Sequence, residues 1–441
     1  MVRLKAFYVN DLSMPNTGAY IIEDKMAGGG KGIVTPGLNL IIQGIVVALA
    51  GGLVAQVLAR WLNLPDILFF LVAGMVLGPQ GLNAFHFAPT SGVSGFVFTV
   101  GTLAMLYEGG RSLDLALLAK IWRGVLILST LGVLVTAAVM AVAIHSLLGG
   151  SWILAWLMAA VLSSTDPATI IPLFRQIRLR PRLAKLVEAE SAFNDAVSSA
   201  LSLLLLGVVD SGQAHFGHAA GQFVLLLVGG LVVGAVASYG LNTLLTQRRY
   251  HHIVLDSLEH PAIVSLVIML VSYMVATWVG ASGFMAAFTA GIVSGNRHTF
   301  GHAMSDEQGL AHENYLFTNA TLIRMLLFIL LGSQINFTDV FRILLPGLLT
   351  IGVFIFISRP LTVMVCLSLD RRGHWTLNDM AFVSWVRETG VMPVALAGIL
   401  AATRVPGAHT LSALVFMAVL LTILIQGATT GWWVQRLGLS Q

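Results

Sequence analysis

Apolar residues in this chain come in runs long enough to cross a lipid bilayer, separated by short polar stretches. The runs cover residues 37–62, 65–83, 92–110, 124–148, 152–174, 185–209, 220–246, 260–279, 282–296, 314–335, 339–368, 377–402 and 408–432. A membrane-crossing helix needs about 20 apolar residues, so the pattern predicts about thirteen helical spans. The ninth is short, and only Val279-Gly-Ala-Ser282 divides it from the eighth. Residues 1–36 are polar and mixed, without the basic start and apolar core of a cleaved secretory signal. Within them, Gly28-Gly-Gly-Lys-Gly32 has the glycines and lysine of a phosphate loop. No Ser or Thr follows Lys31 and no strand precedes it, so it reads as a flexible linker. The expected layout is a polar segment at 1–36, a membrane domain at 37–432 and a short tail at 433–441.

Composition agrees with the pattern. Of 441 residues, 57% are hydrophobic and 10% are charged, against about 25% charged in soluble domains. The fold class is an all-α polytopic membrane protein, with lipid as its surroundings. Its 45 glycines suit close helix–helix approach in lipid. A net charge of +4 is small and mostly reflects basic loops, so no nucleic-acid partner is expected. The single cysteine, Cys366, cannot form an intrachain disulfide and reads as a small buried hydrophobe. No paired Cys/His spacing for zinc, and no heme or flavin constellation, is present, so no cofactor is expected.

Lysine and arginine in short loops orient the chain. Arg111, Lys120 and Arg123 follow span three. Arg175, Arg178, Arg180, Arg182 and Lys185 follow span five, Arg248 and Arg249 span seven, and Arg371 and Arg372 span eleven. With thirteen spans these loops share one face. That face is expected to be cytoplasmic, with the C-terminus inside and the N-terminus outside.

Polar residues inside the spans carry the chemistry. Glu188-Ala-Glu-Ser-Ala-Phe-Asn-Asp195 enters span six, where each acid costs roughly 2.5–3.5 kcal/mol to insert. At 100° per residue, Glu190, Ser191, Asn194 and Asp195 lie within about 140° of arc, a face that reads as an ion site. Span five contains Ser163-Ser-Thr-Asp-Pro-Ala-Thr-Ile-Ile-Pro172. Pro167 has no N–H for the Ser163 carbonyl, and it pushes Asp166 out of the α region. Span twelve contains Trp385-Val-Arg-Glu-Thr-Gly-Val-Met-Pro393, where Pro393 frees the Thr389 carbonyl and Arg387 and Glu388 lie in mid-span. Spans 1–6 and 8–13 make two sets of six, each with a break in its fifth member. Interrupted helices in corresponding positions point to inverted repeats with the site where the breaks meet.

At these residues the chain resembles the NhaP/NHE branch of the cation:proton antiporter superfamily. Thr165-Asp166-Pro167 is similar to its aspartate–proline break, and Glu190-Ser191 with Asn194-Asp195 to its Glu-Ser-x-x-Asn-Asp motif. Ser282-Gly-Phe-Met-Ala-Ala-Phe-Thr-Ala-Gly-Ile-Val-Ser-Gly-Asn296 is similar to its ninth helix, and Ser358-Arg359-Pro360 to the basic residue of its eleventh. The likeness covers residues 37–432. It implies that Asp195 binds the cation or proton, and that Thr165, Asp166 and Ser191 complete the site. It also implies a Glu190–Arg359 ion pair and electroneutral exchange. Residues 124–209 and 339–432 would form a moving core, and 37–110 with 220–335 a scaffold for a homodimer in the inner membrane. One departure stands out. Relatives carry Gly-Leu-Arg-Gly in helix twelve, with arginine four residues before the proline. Thr389 holds that place here, and Arg387-Glu388 lies upstream.

A carboxylate, hydroxyls and freed carbonyls are hard oxygen ligands suited to Na⁺, K⁺ or Li⁺. A proton on Asp195 removes the charge that attracts the cation, and the cation disfavours the proton, so competition alone yields exchange. Three other classes compete with this reading. A sodium-coupled symporter of an organic anion would keep the broken helices but needs a roomy polar cavity. An intramembrane aspartyl protease carries Tyr-Asp and Gly-x-Gly-Asp, which neither Asp166 nor Asp195 matches. A channel needs no proton exchange.

Overall fold

The structure is a computed structural model that describes residues 36–62, 64–84, 87–165, 179–212, 216–246, 261–300 and 306–439. Residues 42–441 form one compact unit; residues 1–41 are a separate one, described only from 36 onward. The Gly28–Gly32 stretch, Asp166, Pro167, Arg175, Arg178, Arg248 and Arg249 lie outside the described residues.

All described elements are helical apart from one bridge residue, Leu179. They are α1 (Pro36–Leu62), α2 (Asp66–Leu77), α3 (Gly92–Arg111), α4 (Leu115–Ser129), α5 (Leu131–Leu148) and α6 (Trp152–Leu162). After these come α7 (Pro181–Ser211), α8 (Phe216–Thr246), α9 (Pro261–Trp278), α10 (Gly283–Gly295), α11 (Asp306–Gln334) and α12 (Phe337–Arg342). The last are α13 (Leu344–Val353), α14 (Arg359–Leu369), α15 (Leu377–Trp385), α16 (Val391–Ala402), α17 (Ala408–Thr422) and α18 (Ala428–Arg436). A π turn, Phe354–Ser358, joins α13 to α14, and another, Ile423–Gly427, joins α17 to α18. Among the described residues, six helical stretches are long and apolar enough to cross a membrane.

Helix ends follow local chemistry. Asp114 starts α4 by accepting from Ala116 N at 2.7 Å. Ser91, Ser151 and Ser282 cap α3, α6 and α10 in the same way, each satisfying a backbone donor that the first turn leaves open. Thr376 and Asp379 form a reciprocal box at α15. The eighth and ninth apolar runs are separate helices, divided at Gly280, whose φ of +75° suits glycine.

Packing is tightest where side chains are smallest. α10 is buried from Gly283 to Ser294 and lies against α3, α8 and α9. A β-carbon on Gly291 would fall 2.1 Å from Tyr107 O, and one on Gly110 would fall 2.1 Å from Phe288 O. The two backbones touch, as the glycine content predicts. α2 and α3 pack on α11, and α6 lies between α5 and α7. α16 packs on α3, with the ring of Phe98 where a Gly398 side chain would be.

Candidate functional site

The site forms where α6 stops. Its helix ends at Leu162, and Ser163, Ser164 and Thr165 leave the helical path. The proline rule places the break at Asp166, and helix is lost three residues earlier. The Ser163 hydroxyl turns back to Ala160 O at 2.7 Å, a local bond that competes with the next helical turn. The carbonyls freed at this end do not stay open. Arg387 Nη2 donates to Ser163 O at 2.6 Å and to Leu162 O at 3.4 Å. A guanidinium thus lies on the negative end of a half-helix, the favourable sign for that dipole. Its face rests on Phe354, 4.4 Å from the ring centre, and Nη1 reaches Thr136 Oγ1 at 3.5 Å. Thr136 in turn meets Thr362 Oγ1 at 2.9 Å.

α7 holds Ser164 and Thr165 from the side. The Ser191 hydroxyl donates to Thr165 O. Asn194 Oδ1 accepts from Thr165 N at 3.2 Å, and Asn194 Nδ2 donates to Thr165 Oγ1. Ser164 Oγ donates to Asp195 Oδ1, and Ser198 Oγ reaches Ala160 O at 2.6 Å. Residues 191, 194, 195 and 198 recur at helical spacing, so one face of α7 presents hydroxyl, amide and carboxylate to one break. Asp195 is half-buried, whereas Ser191 and Asn194 are buried. Thr165, Ser191, Asn194 and Asp195 are therefore neighbours.

Glu190 and Arg359 meet in a two-pronged ion pair. Nη1 to Oε1 and Nη2 to Oε2 are each 2.9 Å, and both side chains are 2% exposed. Asn194 Nδ2 also donates to Glu190 Oε1 at 3.1 Å, and Arg359 Nε reaches Val383 O at 3.3 Å. The parallel fork is the strong form of this contact. Arg359 begins α14 directly after the π turn, and its N–H bonds back to Phe354 O.

Span twelve is interrupted over residues 386–390, between α15 and α16. The sequence places the opening at Pro393. Instead Pro393 sits in the first turn of α16, where no N–H is needed, and the extended stretch lies upstream. Arg387, Glu388 and Thr389 are all buried there. Thr389 N donates to Thr422 Oγ1 at 3.0 Å, and Gln426 Nε2 donates to Trp385 O at 2.8 Å.

Other charges have local partners. Glu188 pairs with Lys185, and Glu108 with Arg111 at 3.4 Å. His145 stacks on Trp152 with ring centres 3.9 Å apart. Cys366 is free and buried. Ser164, Thr136, Thr422 and Gln426 were not singled out by sequence. Hydroxyls in apolar helices usually bond their own preceding turn, so nothing local distinguishes Ser164, Thr136 and Thr422, and Gln426 is a lone amide in an apolar run.

The chain is also similar to known proteins. Residues 45–436 match the family model described as sodium/hydrogen exchanger, transmembrane. The chain is 29% identical over 397 residues to the K⁺/H⁺ antiporter NhaP of Alkalimonas amylolytica, covering 88% of this chain and 65% of that protein. It is 26% identical over 427 residues to the Na⁺/H⁺ antiporter ApNhaP of Aphanothece halophytica, covering 94% and 77%. The chain spans just under two thirds of the length of the first curated relatives it matches. Its fold is similar to that of the sodium proton antiporter MjNhaP1 of Methanocaldococcus jannaschii, with TM-score 0.74 and 23% identity, over 91% of this chain and 99% of that one.

Proposed function

The chain belongs to the sodium/hydrogen exchanger family, and we propose that it exchanges a monovalent cation for protons across a membrane, with both competing for the carboxylate of Asp195. The observation that carries this reading is the contact of Ser164 with Asp195 at the end of a broken helix. A carboxylate beside hydroxyl and amide oxygens is a hard-oxygen setting for an alkali ion. Thr165, Ser191 and Asn194 supply further oxygens, with Asp166 next in the chain. Na⁺ and K⁺ are both candidates, since similar proteins are named for each.

Each part of the site has a separate task in this scheme. Asp195 holds either H⁺ or the metal ion. The Glu190–Arg359 pair ties α7 to α14, so that the two move as one body. Arg387 offsets the half-helix end of α6, so the cation meets a site already balanced in charge. Two sets of six spans, 37–209 and 260–432, are inverted repeats whose breaks meet at the site. The core comprises 124–209 and 339–432; in support, α4, α5, α6, α7, α13 and α14 pack among themselves. The scaffold, 37–110 and 220–335, would bear the contact of a homodimer; α2, α3 and α8 to α11 likewise pack together. The inner membrane is the proposed site of action, with the C-terminus cytoplasmic, exchange electroneutral and pH homeostasis the purpose.

Asp195→Asn keeps the size of the side chain and removes its charge. Cation-driven proton flux in everted vesicles should fall to background in this variant. Flux at the wild-type rate in the same variant would end the assignment.

A further inference from the structure

The break in span twelve has its own set of oxygens, apart from those around Asp195. Glu388 is 2% exposed, and its Oε1 lies where a side chain on Gly427 would be: a β-carbon there would come within 2.5 Å. Thr389 and Gln426 are each 1% exposed. Among the described residues, the Thr389 hydroxyl and Gln426 Oε1 are buried without a hydrogen-bond partner. Both belong to groups already anchored at their other ends, through Thr389 N on Thr422 and Gln426 Nε2 on Trp385. The Thr389 backbone and the Gln426 amide are thus held at the turn 422–427. An amide oxygen can only accept, and leaving such an acceptor buried and unserved is unfavourable.

The two breaks are built alike. In each, the backbone N–H of a threonine beside an acid is bound by a polar side chain of the following span. Thr165 N meets Asn194, and Thr389 N meets Thr422. In each, a carboxylate faces that following span or extends from it: Asp195 on α7, and Glu388 against Gly427. The guanidinium of the neighbouring Arg387 points to the other break, where it donates to Leu162 O, Ser163 O and Thr136 Oγ1. The π turn Ile423–Gly427 widens the helix at this level, a feature often found at functional positions.

We propose that Glu388, Thr389 Oγ1 and Gln426 Oε1 form a second alkali-cation site, distinct from the one at Asp195. One carboxylate with neutral oxygens matches a single positive charge. Divalent ions are held by more carboxylates or by retained water. The absent side chain of Gly427 is what lets the Glu388 carboxylate lie against this turn. The site is enclosed in the conformation described here, since Glu388, Thr389 and Gln426 are all buried.

The test is equilibrium binding of radioactive sodium, and of rubidium as a potassium substitute, to the purified full-length protein in detergent at alkaline pH. The wild type should bind two ions per protomer. Glu388→Gln, Asp195→Asn and Gly427→Ala should each bind one, and Glu388→Gln/Asp195→Asn none. Thr389→Val should weaken one of the two sites about tenfold, the loss of one oxygen ligand worth about 1.4 kcal/mol. If Glu388→Gln does not elute as a single species on gel filtration, Gly427→Ala and Thr389→Val carry the same test. One ion in the wild type, with Glu388→Gln and Gly427→Ala unchanged, overturns the second site. One ion in the wild type that is lost in both acid variants also overturns it, by merging Glu388 with the first site. Loss of one ion in Glu388→Gln and none in Asp195→Asn would instead keep this site and remove the Asp195 assignment.

Discussion

Separating the partners of the Glu190–Arg359 pair should destabilise the fold more than removing both. Each side chain is 2% exposed and the fork has two bonds of 2.9 Å. Breaking a buried pair from one side costs about 3–5 kcal/mol, because the remaining charge has no compensation. That corresponds to roughly 10²- to 10³-fold or more in the folded-to-unfolded ratio. Replacing both by apolar residues of similar volume touches only two neutral groups: the Asn194 amide donor and the Val383 carbonyl lose these partners. The Asn194 amide keeps its bond to Thr165 Oγ1, so the unserved Val383 carbonyl sets the cost, and the double variant should lose about 1–3 kcal/mol. A cycle of Glu190→Leu, Arg359→Met and both together, unfolded in detergent micelles and followed by tryptophan fluorescence, measures the coupling. A coupling of about 2 kcal/mol or more is expected, with the double variant more stable than either single one. Single variants as stable as the wild type, or losses that simply add, would refute the argument. An Arg359→Met protein that is fully stable yet inactive would move Arg359 from holding the structure to handling the ion.

Three further outcomes follow from the same geometry. Ser164→Ala removes the hydroxyl that donates to Asp195; the cation KM should rise several-fold in proteoliposomes with the maximal rate less affected, and an unchanged KM would count against it. Arg387→Met withdraws the donor from Ser163 O and Leu162 O. Charge-assisted bonds are worth about 1.5–3 kcal/mol each, so thermal stability and exchange should fall together, and Arg387→Lys should restore part of both. Gly110→Leu forces a side chain into the Phe288 carbonyl, 2.1 Å from the added β-carbon, whereas Gly352 has open space. Folded yield on fluorescence-detected gel filtration should collapse for Gly110→Leu and persist for Gly352→Leu.

The helical spans were legible because a long apolar run states its own length. The polar face of span six was legible for the same reason: Glu190, Ser191, Asn194 and Asp195 are conspicuous against leucine and alanine. Arg359 stood out as a lone charge, and its partner was inferred through a likeness to relatives. The details of the breaks were harder to read. Proline marks where a hydrogen bond must be lost, yet α6 ends at Leu162 and the second break lies at 386–390, upstream of Pro393. What decides this is tertiary: Arg387 reaches across 224 positions to Ser163, and Gln426 crosses 41 to Trp385. No pattern local to Ser163 or Trp385 encodes such a partner. The π turns left no mark in composition either, since Phe-Ile-Phe-Ile-Ser is ordinary apolar helix to the eye.

The turn at Phe354–Ser358 alters how this helix responds to changes in chain length. Before it, Gly347, Thr350 and Ile351 face inward; after it, Arg359, Thr362 and Val363 do. A regular helix continued from Thr350 would bring its inward face round to positions 357–358 and 361, one residue short of where Arg359 and Thr362 stand. The wide turn absorbs that surplus residue. Removing one residue inside it would tighten it to ordinary helix and leave the guanidinium aimed at Glu190. The same deletion between Arg359 and Leu369 would rotate everything beyond it by about 100°. This segment therefore has one place where the lineage could lose a residue without turning part of its inward face towards lipid.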